Sequence, residues 1–209
     1  MKMMLDNSAN VIHKLRSSEK TDILQLRTPL TQYARDGLNV ICYGMDNGAF
    51  SAFNENRFER MALKAKDDDL CMWIVMPDVV CDHFSTSALF QIWKQRLGMT
   101  EKLAFVAQNG CDLGSNLPPF DEIDCLFIGG DDDFKESGIA FELALEAQRR
   151  GIWVHIGRVN TPARITYWYD VADSFDGSGI ARFDHMKERA FRILKQLKGS
   201  SQTRIGRWQ

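Results

Sequence analysis

Nothing in this sequence approaches the ~20-residue apolar run that spans a bilayer, which excludes a transmembrane helix and a membrane partner. The opening stretch, MKMMLDNSAN, turns polar too early for a signal peptide, and the expected location is the cytoplasm. The five cysteines (Cys42, Cys71, Cys81, Cys111 and Cys125) form no C-x-x-C pair, and their number is odd. A disulfide framework or structural zinc is therefore not expected, and buried free thiols are. The four histidines, His13, His83, His155 and His185, are scattered, and no group of residues has metal-ligand spacing, so neither metal nor cofactor is expected. There is no G-x-G-x-x-G and no P-loop, which argues against an enzyme built around a nucleotide cofactor. Repeats, linkers and low-complexity segments are absent too, and residues 1–209 read as one domain.

Neither sign of charge dominates. A formal net charge of −2 does not advertise a nucleic-acid binder. One stretch is lopsided: from Met186 onward, Lys187, Arg189, Arg192, Lys195, Lys198, Arg204 and Arg207 stand against Glu188 alone. That pattern fits the solvated face of a helix, with a phosphate-facing patch as the other reading.

What is present is a rhythm. Apolar, β-branched runs recur and each ends in polar or glycine-rich residues: LNVICYG, LCMWIVM, LAFVA, IDCLFI, IWVHI and DSF. Continuous rather than alternating runs are the mark of parallel strands buried on both faces. Helical segments separate them at 56–69, 85–98, 138–151 and 182–199, the second opening on a Ser/Thr cap and the second and third stopping at glycine. Strands alternating with helices predict a parallel sheet. Six runs and a seventh strand in the first five residues predict a (β/α)8 TIM-type barrel, small and incomplete or irregular at 209 residues against the ~250 usual for the class. Residues 6–38 read as two short helices around a loop.

Chemically able residues gather just after these runs: Asp46, Asp78, Gln108, Gly129-Gly130, Arg158, Asn160 and Asp176. In a parallel barrel the C-terminal strand ends share one face, where active sites are built. Two aspartates across a pocket can divide the roles of nucleophile and acid/base. Gln108 offers an acceptor and donors, and a Gly-Gly backbone admits a flat ligand, a set that suits a purine edge better than a metal. His155 lies within a strand run and reads as a packed core histidine.

The ordered set MDNGAF, MPDVV, FVAQNG, LFIGG, HIGRVNTPARI and DSFDGSG resembles the tRNA-guanine transglycosylase superfamily. The likeness is greatest to its DNA branch, the 7-deazaguanine DNA transglycosylases of bacteria and phages, and covers residues 39–180. It implies a barrel enzyme, without cofactor, that exchanges guanine in DNA for a free 7-deazaguanine such as 7-cyano-7-deazaguanine. Asp176 would be the nucleophile that holds the covalent sugar, and Asp46 the acid/base. Phe50 and Ile156 would sandwich the base, and Asp78, Gln108, Gly129 and Gly130 would read its edge, with Asp82 as the other candidate for the Asp78 role. Asp173 would support the turn. Lys135, Arg158, Asn160 and Arg164 would contact the nucleic-acid backbone. The zinc-binding cluster of tRNA-modifying members is missing, which favours DNA, or a minimal scaffold working with a partner protein or as a homodimer. Water in place of the incoming base would make a hydrolytic glycosylase, and loss of chemistry a base-binding or nucleic-acid-binding module. The run Asp131–Asp133 would repel phosphate unless turned away, bound to a cation or met by a partner.

Overall fold

The computed structural model describes residues 1–19, 21–29, 41–51 and 53–205, with side chains to residue 200. Eight parallel strands close into a barrel in sequence order: β1 (Lys2–Leu5), β2 (Ile23–Arg27), β3 (Tyr43–Met45), β4 (Cys71–Val75), β5 (Leu103–Ala107), β6 (Cys125–Ile128), β7 (Trp153–Ile156) and β8 (Ser174–Asp176). β8 pairs back to β1 through Met3–Phe175 and Met4–Asp176. The barrel is thus complete rather than reduced. Its small size comes from strands of three to five residues.

Helices follow most strands: α1 (Ala9–Glu19), α2 (Glu55–Ala65), α3 (His83–Leu97), α4 (Asp132–Lys135), α5 (Gly138–Arg149), α6 (Pro162–Trp168), α7 (Ser178–Arg182) and α8 (Asp184–Ile205). α3 is capped by Asp82, whose carboxylate accepts the Ser85 amide at 3.1 Å, three residues before the expected Ser/Thr cap at Ser85, and it stops at Gly98 in the left-handed region (φ 58°).

The correction to the sequence reading lies in residues 6–38. Only one helix, α1, is found among those described, and residues 23–27 are a strand instead of helix or loop. Gln25 and Arg27 interrupt the apolar run of β2 and hid it. Gln25 is nevertheless fully buried, its Nε2 donating to the Asn7 carbonyl at 2.8 Å and its Oε1 accepting from Arg27 Nε at 2.7 Å. The start of the LNVICYG run and residues 30–38 lie outside the described residues.

The pleat sorts the strands' side chains into two cores. Met4, Leu24, Leu26, Trp73, Val75, Ala104, Val106 and Cys125 fill the barrel, with Phe127 and Trp153 against them. Their neighbours one residue along, such as Leu5, Ile74, Phe105, Ile128, Ile156 and Phe175, face the helices. Trp73 occupies the barrel axis because residue 44 is glycine: a Cβ there would lie 2.3 Å from the indole ring. Burying that indole, which is 1% exposed, is worth on the order of 3 kcal/mol.

Among the described residues no helix is long and apolar enough to cross a membrane. Three cysteines are buried as expected, but Cys42, just before β3, and Cys81, in the turn between β4 and α3, are exposed. The basic face of α8 is largely solvated, with Lys195 paired to Glu19 at 2.9 Å and Lys187 to Asp184 at 3.1 Å. The side chain of Arg204, and Arg207 altogether, fall outside the described set.

Candidate active site

The period-2 pleat that fills the barrel also selects what faces its mouth. One step past the inward residues Gly44, Val106, Phe127, His155 and Ser174 come Asp46, Gln108, Gly129, Gly157 and Asp176. All five line a recess at the C-terminal end of the strands, with Asn47, Phe50, Asp78, Lys135 and Arg158 among its other walls. The recess, of about 80 Å3, adjoins a cleft of about 700 Å3 bounded by Asp6, Asn7, Thr28, Ser178 and Arg182. Asp46, Phe50, Arg158 and Asp176 belong to both, so the two aspartates stand where recess and cleft meet.

Asp176 is held from behind. Its Oδ1 takes the Arg158 amide at 3.0 Å and lies 3.2 Å from His155 Nε2. His155 Nδ1 is 2.8 Å from Ser174 Oγ, which itself accepts from Trp153 Nε1 at 2.7 Å. An indole N–H only donates, so the one hydroxyl proton of Ser174 is free to go to Nδ1. That leaves the imidazole proton on Nε2, donating to the Asp176 carboxylate. His155 is fully buried, with its ring centroid 5.1 Å from that of Trp73 and 4.6 Å from that of Phe127. It is a core histidine, as the sequence suggests, but its polar edge serves the site. Both bonds fall on Oδ1, which leaves Oδ2 for chemistry.

Arg158 delivers its amide from the left-handed region (φ 62°), a conformation costing a non-glycine residue about 1 kcal/mol. Of the three described non-glycine residues with positive φ, Cys81, Lys102 and Arg158, two aim a backbone N–H at a site side chain. The glycine after Asp176 is equally constrained, since a Cβ on Gly177 would stand 2.5 Å from the Val159 carbonyl oxygen.

Asp46 is the perturbed carboxylate. Burial pushes its pKa up to about 7, the neighbouring Asp176 charge adds to the rise, and the Gly48 amide opposes it. A carboxyl group at that value exchanges protons readily at neutral pH.

Asp78 is also raised, by burial, against the pull of two amides. Asn47 Nδ2 donates to its Oδ1 at 2.6 Å, and Gln108 Nε2 to its Oδ2 at 2.5 Å. Asn47 is itself 2% exposed and anchored by the Met76 carbonyl and the Ala49 amide. Asp82 faces elsewhere: it caps α3 and takes the Ser85 hydroxyl at 2.6 Å. Of the two, Asp78 is the one that lines the recess.

Gln108 and the glycines line the recess, but their groups are committed differently from the sequence expectation. Gln108 Oε1 accepts from Cys81 N and Gly130 N, both at 2.8 Å, so its acceptor is spent within the protein and one Nε2 proton remains for a ligand. The Gly129 amide donates to the Ala107 carbonyl at 3.0 Å. Neither glycine amide is therefore an open donor. Their missing side chains serve close packing: a Cβ on Gly129 would meet Val106 at 2.6 Å, and one on Gly130 (φ 76°) would meet Phe134 and Asn109 at 2.7 Å.

Phe50 is 60% exposed at the rim, with the Arg158 guanidinium carbon 3.7 Å from its ring centroid, a cation–π stack that pre-orders both. Ile156 is not opposite it. It is fully buried and packs toward the helices, because the pleat turns His155 inward and Ile156 outward. Gly157 lines the recess in its place.

The four basic or amide residues expected along a nucleic-acid backbone separate. Arg158 faces recess and cleft. Asn160 Oδ1 accepts the Gly179 amide at 3.0 Å and so holds the first turn of α7. Arg164 is engaged by Glu136 at 2.7 Å and Asp132 at 2.9 Å, tying α6 to α4. Lys135 is 3% exposed and lines the recess. The acidic run is also accounted for in part: Asp131 caps α4 through the Phe134 amide and takes Asn109 Nδ2, while Asp132 pairs with Arg164.

His155, Ser174 and Asn47 are the site residues that sequence reasoning missed. The parity of His155 with Gly157 and of Ser174 with Asp176 was the signal for those two, whereas Asn47, one residue off the inward series of β3, carries no such signal. Among the described residues no three His, Cys, Asp or Glu side chains gather into a metal-binding group. The chain matches no family model and no curated protein sequence, so the family resemblance rests on its motifs alone.

Proposed function

We propose that this protein exchanges guanine in DNA for a free 7-deazaguanine base through a covalent aspartyl–sugar intermediate. The observation that carries this reading is the position of Asp46 and Asp176 at the junction of a small recess and a larger cleft. A base in the recess and its sugar-phosphate in the cleft would bring the glycosidic bond between the two carboxyl groups. To enter, the base must leave the helix stack, at a cost of a few kcal/mol.

Asp176 Oδ2 attacks C1′ as the C–N bond breaks, and the bond's electron pair leaves with the base, which takes a proton from Asp46. Asp46, with a pKa near 7, carries that proton in a large fraction of molecules at neutral pH. His155 and the Arg158 amide keep Asp176 oriented for attack. In the second half, the incoming base gives its N9 proton to Asp46 and its electron pair to C1′, expelling Asp176 unchanged. One glycosidic bond is broken and one made, so no energy source is required. The Asp78 carboxylate suits the N1–H and 2-amino donors of guanine, Phe50 offers a stacking face, and Arg158 and Arg182 give the cleft positive charge near phosphate. The choice of DNA over tRNA follows the family resemblance.

The test uses duplex DNA labelled in guanine, purified protein and 7-cyano-7-deazaguanine, with Asp176→Ala as control. Release that depends on the added base and vanishes in the variant supports exchange. Release without added base makes the protein a hydrolytic glycosylase, and no release from DNA or tRNA makes it a binding module.

A further inference from the structure

Lys135 is a buried cation in the wall of the recess. Its side chain is 4% exposed, and its charge partner is Asp132 Oδ1 at 3.6 Å, beyond hydrogen-bond length. Asp132 is already taken twice by Arg164, at 2.9 and 3.0 Å. The ammonium therefore keeps donors unspent in a desolvated place, and burial depresses its pKa accordingly.

Its position around the mouth is informative. In barrel order the recess presents Asp46 after β3, Asp78 after β4, Gln108 after β5, Gly130 and Lys135 after β6, Arg158 after β7 and Asp176 with β8. The periphery of a guanine, followed from N9, runs N3, the 2-amino group, N1–H, O6, position 7 and C8. With N9 between the aspartates and the Watson–Crick donors at Asp78, the two circles run in step. O6 and position 7 then fall on the β6–β7 side, against Lys135.

We infer that Lys135 selects the class of incoming base, favouring a 7-deazaguanine whose 7-substituent is a hydrogen-bond acceptor and rejecting one whose substituent is a cation. This rests on the base-exchange reading. The same ammonium serves the outgoing guanine, whose O6 and N7 are both acceptors. A protonated aminomethyl group would instead bring a second positive charge into a buried site whose nearest carboxylate is committed to Arg164. Such a mismatch is a discrimination by repulsion as well as attraction.

Direct binding of three free bases to wild-type protein, by titration calorimetry without DNA, tests it: 7-cyano-7-deazaguanine, 7-aminomethyl-7-deazaguanine and unsubstituted 7-deazaguanine. The expected order places the cyano base first, with the aminomethyl base weaker by about 30-fold or more, the scale of a buried like-charge contact. Lys135→Met, which keeps the apolar stem, brings the two within about threefold, and Lys135→Glu reverses the order. If wild type binds the aminomethyl base as tightly as the cyano base, the inference is overturned whatever the variants do. Survival of the preference in a folded Lys135→Met overturns it as well. Failure of all three bases to bind overturns the exchange reading itself, a result distinguishable from binding without discrimination.

Discussion

At the N-terminal end of the barrel, Asp124 accepts the Leu103 amide at 3.0 Å and Asp173 accepts the Val154 amide at 2.8 Å. At the opposite end, Asp46 and Asp78 are raised by burial and Asp176 is braced by a histidine and a backbone N–H. Both ends are concave: a cavity of about 460 Å3 at the N-terminal end includes Lys2, Trp73, Trp153, Asp124 and Asp173 in its lining. Size does not separate them. The carboxylates at the N-terminal end secure strand starts, whereas those at the mouth are packed beside one another, a cost in stability that folding alone gives no reason to keep. Asp173 and Asp176, three residues apart, bracket β8 and make the contrast within a single strand.

The largest expected effect breaks that contrast at its centre. If the protein exchanges bases as proposed, Asp176→Asn, which keeps shape but loses the proposed nucleophile, should lower the exchange rate by about 10^3-fold or more in single-turnover label release. Asp173→Ala should leave that rate within severalfold while costing roughly 1–2 kcal/mol in urea unfolding, because the Val154 amide loses its acceptor. Equal rate losses in the two variants would mean the ends are not functionally distinct.

Asp46→Asn comes next, with activity down about 10^2-fold. Its stability effect has a definite sign. Asp46 holds its proton in the folded protein to about pH 7, whereas the unfolded chain releases it near 3.8, so the folded state binds more protons across that window. The wild-type group thus destabilises increasingly as pH rises from about 4 to 7. Asp46→Asn should accordingly be more stable than wild type at pH 8, by on the order of 2–4 kcal/mol, and no more stable at pH 4. Thermal melts at the two pH values check this; a gain of equal size at both would remove the ionisation argument.

A smaller effect sharpens the role of the buried histidine. His155→Leu should reduce kcat about 10-fold with KM little changed, since Asp176 keeps the Arg158 amide but loses its second brace. His155→Gln, which restores a donor, should recover part of the loss. A change in KM alone would make His155 an ordinary packing residue.

Much of this molecule was legible before folding. β4, β5, β6 and β7 announce themselves as continuous apolar runs, and Gly98 and Gly151 take the positive φ expected where a helix stops. The residues at the C-terminal ends of these runs and of the shorter β3 and β8 supplied Asp46, Asp78, Gln108, Arg158 and Asp176, and all five line the recess. β2 was not legible, because Gln25 and Arg27 satisfy each other only once the strand is buried. Ile156 was misplaced because the family resemblance, carried over by motif position, does not say which way the pleat turns a side chain.

Local order in the chain determined the alternation of strands and helices, the turns between them and the clustering of acids at strand ends, since these depend on spacing and on each residue's own backbone preferences. Closure of the barrel decided the rest. It set inward against outward, and so chose His155 over Ile156. It spent the Gly130 amide on Gln108, joined Asp176 to Ser174 through an imidazole, and brought Lys135 from a surface-looking acidic loop into the recess wall. Those outcomes depend on burial and on partners distant in sequence, and neither exists until eight strands meet around one axis.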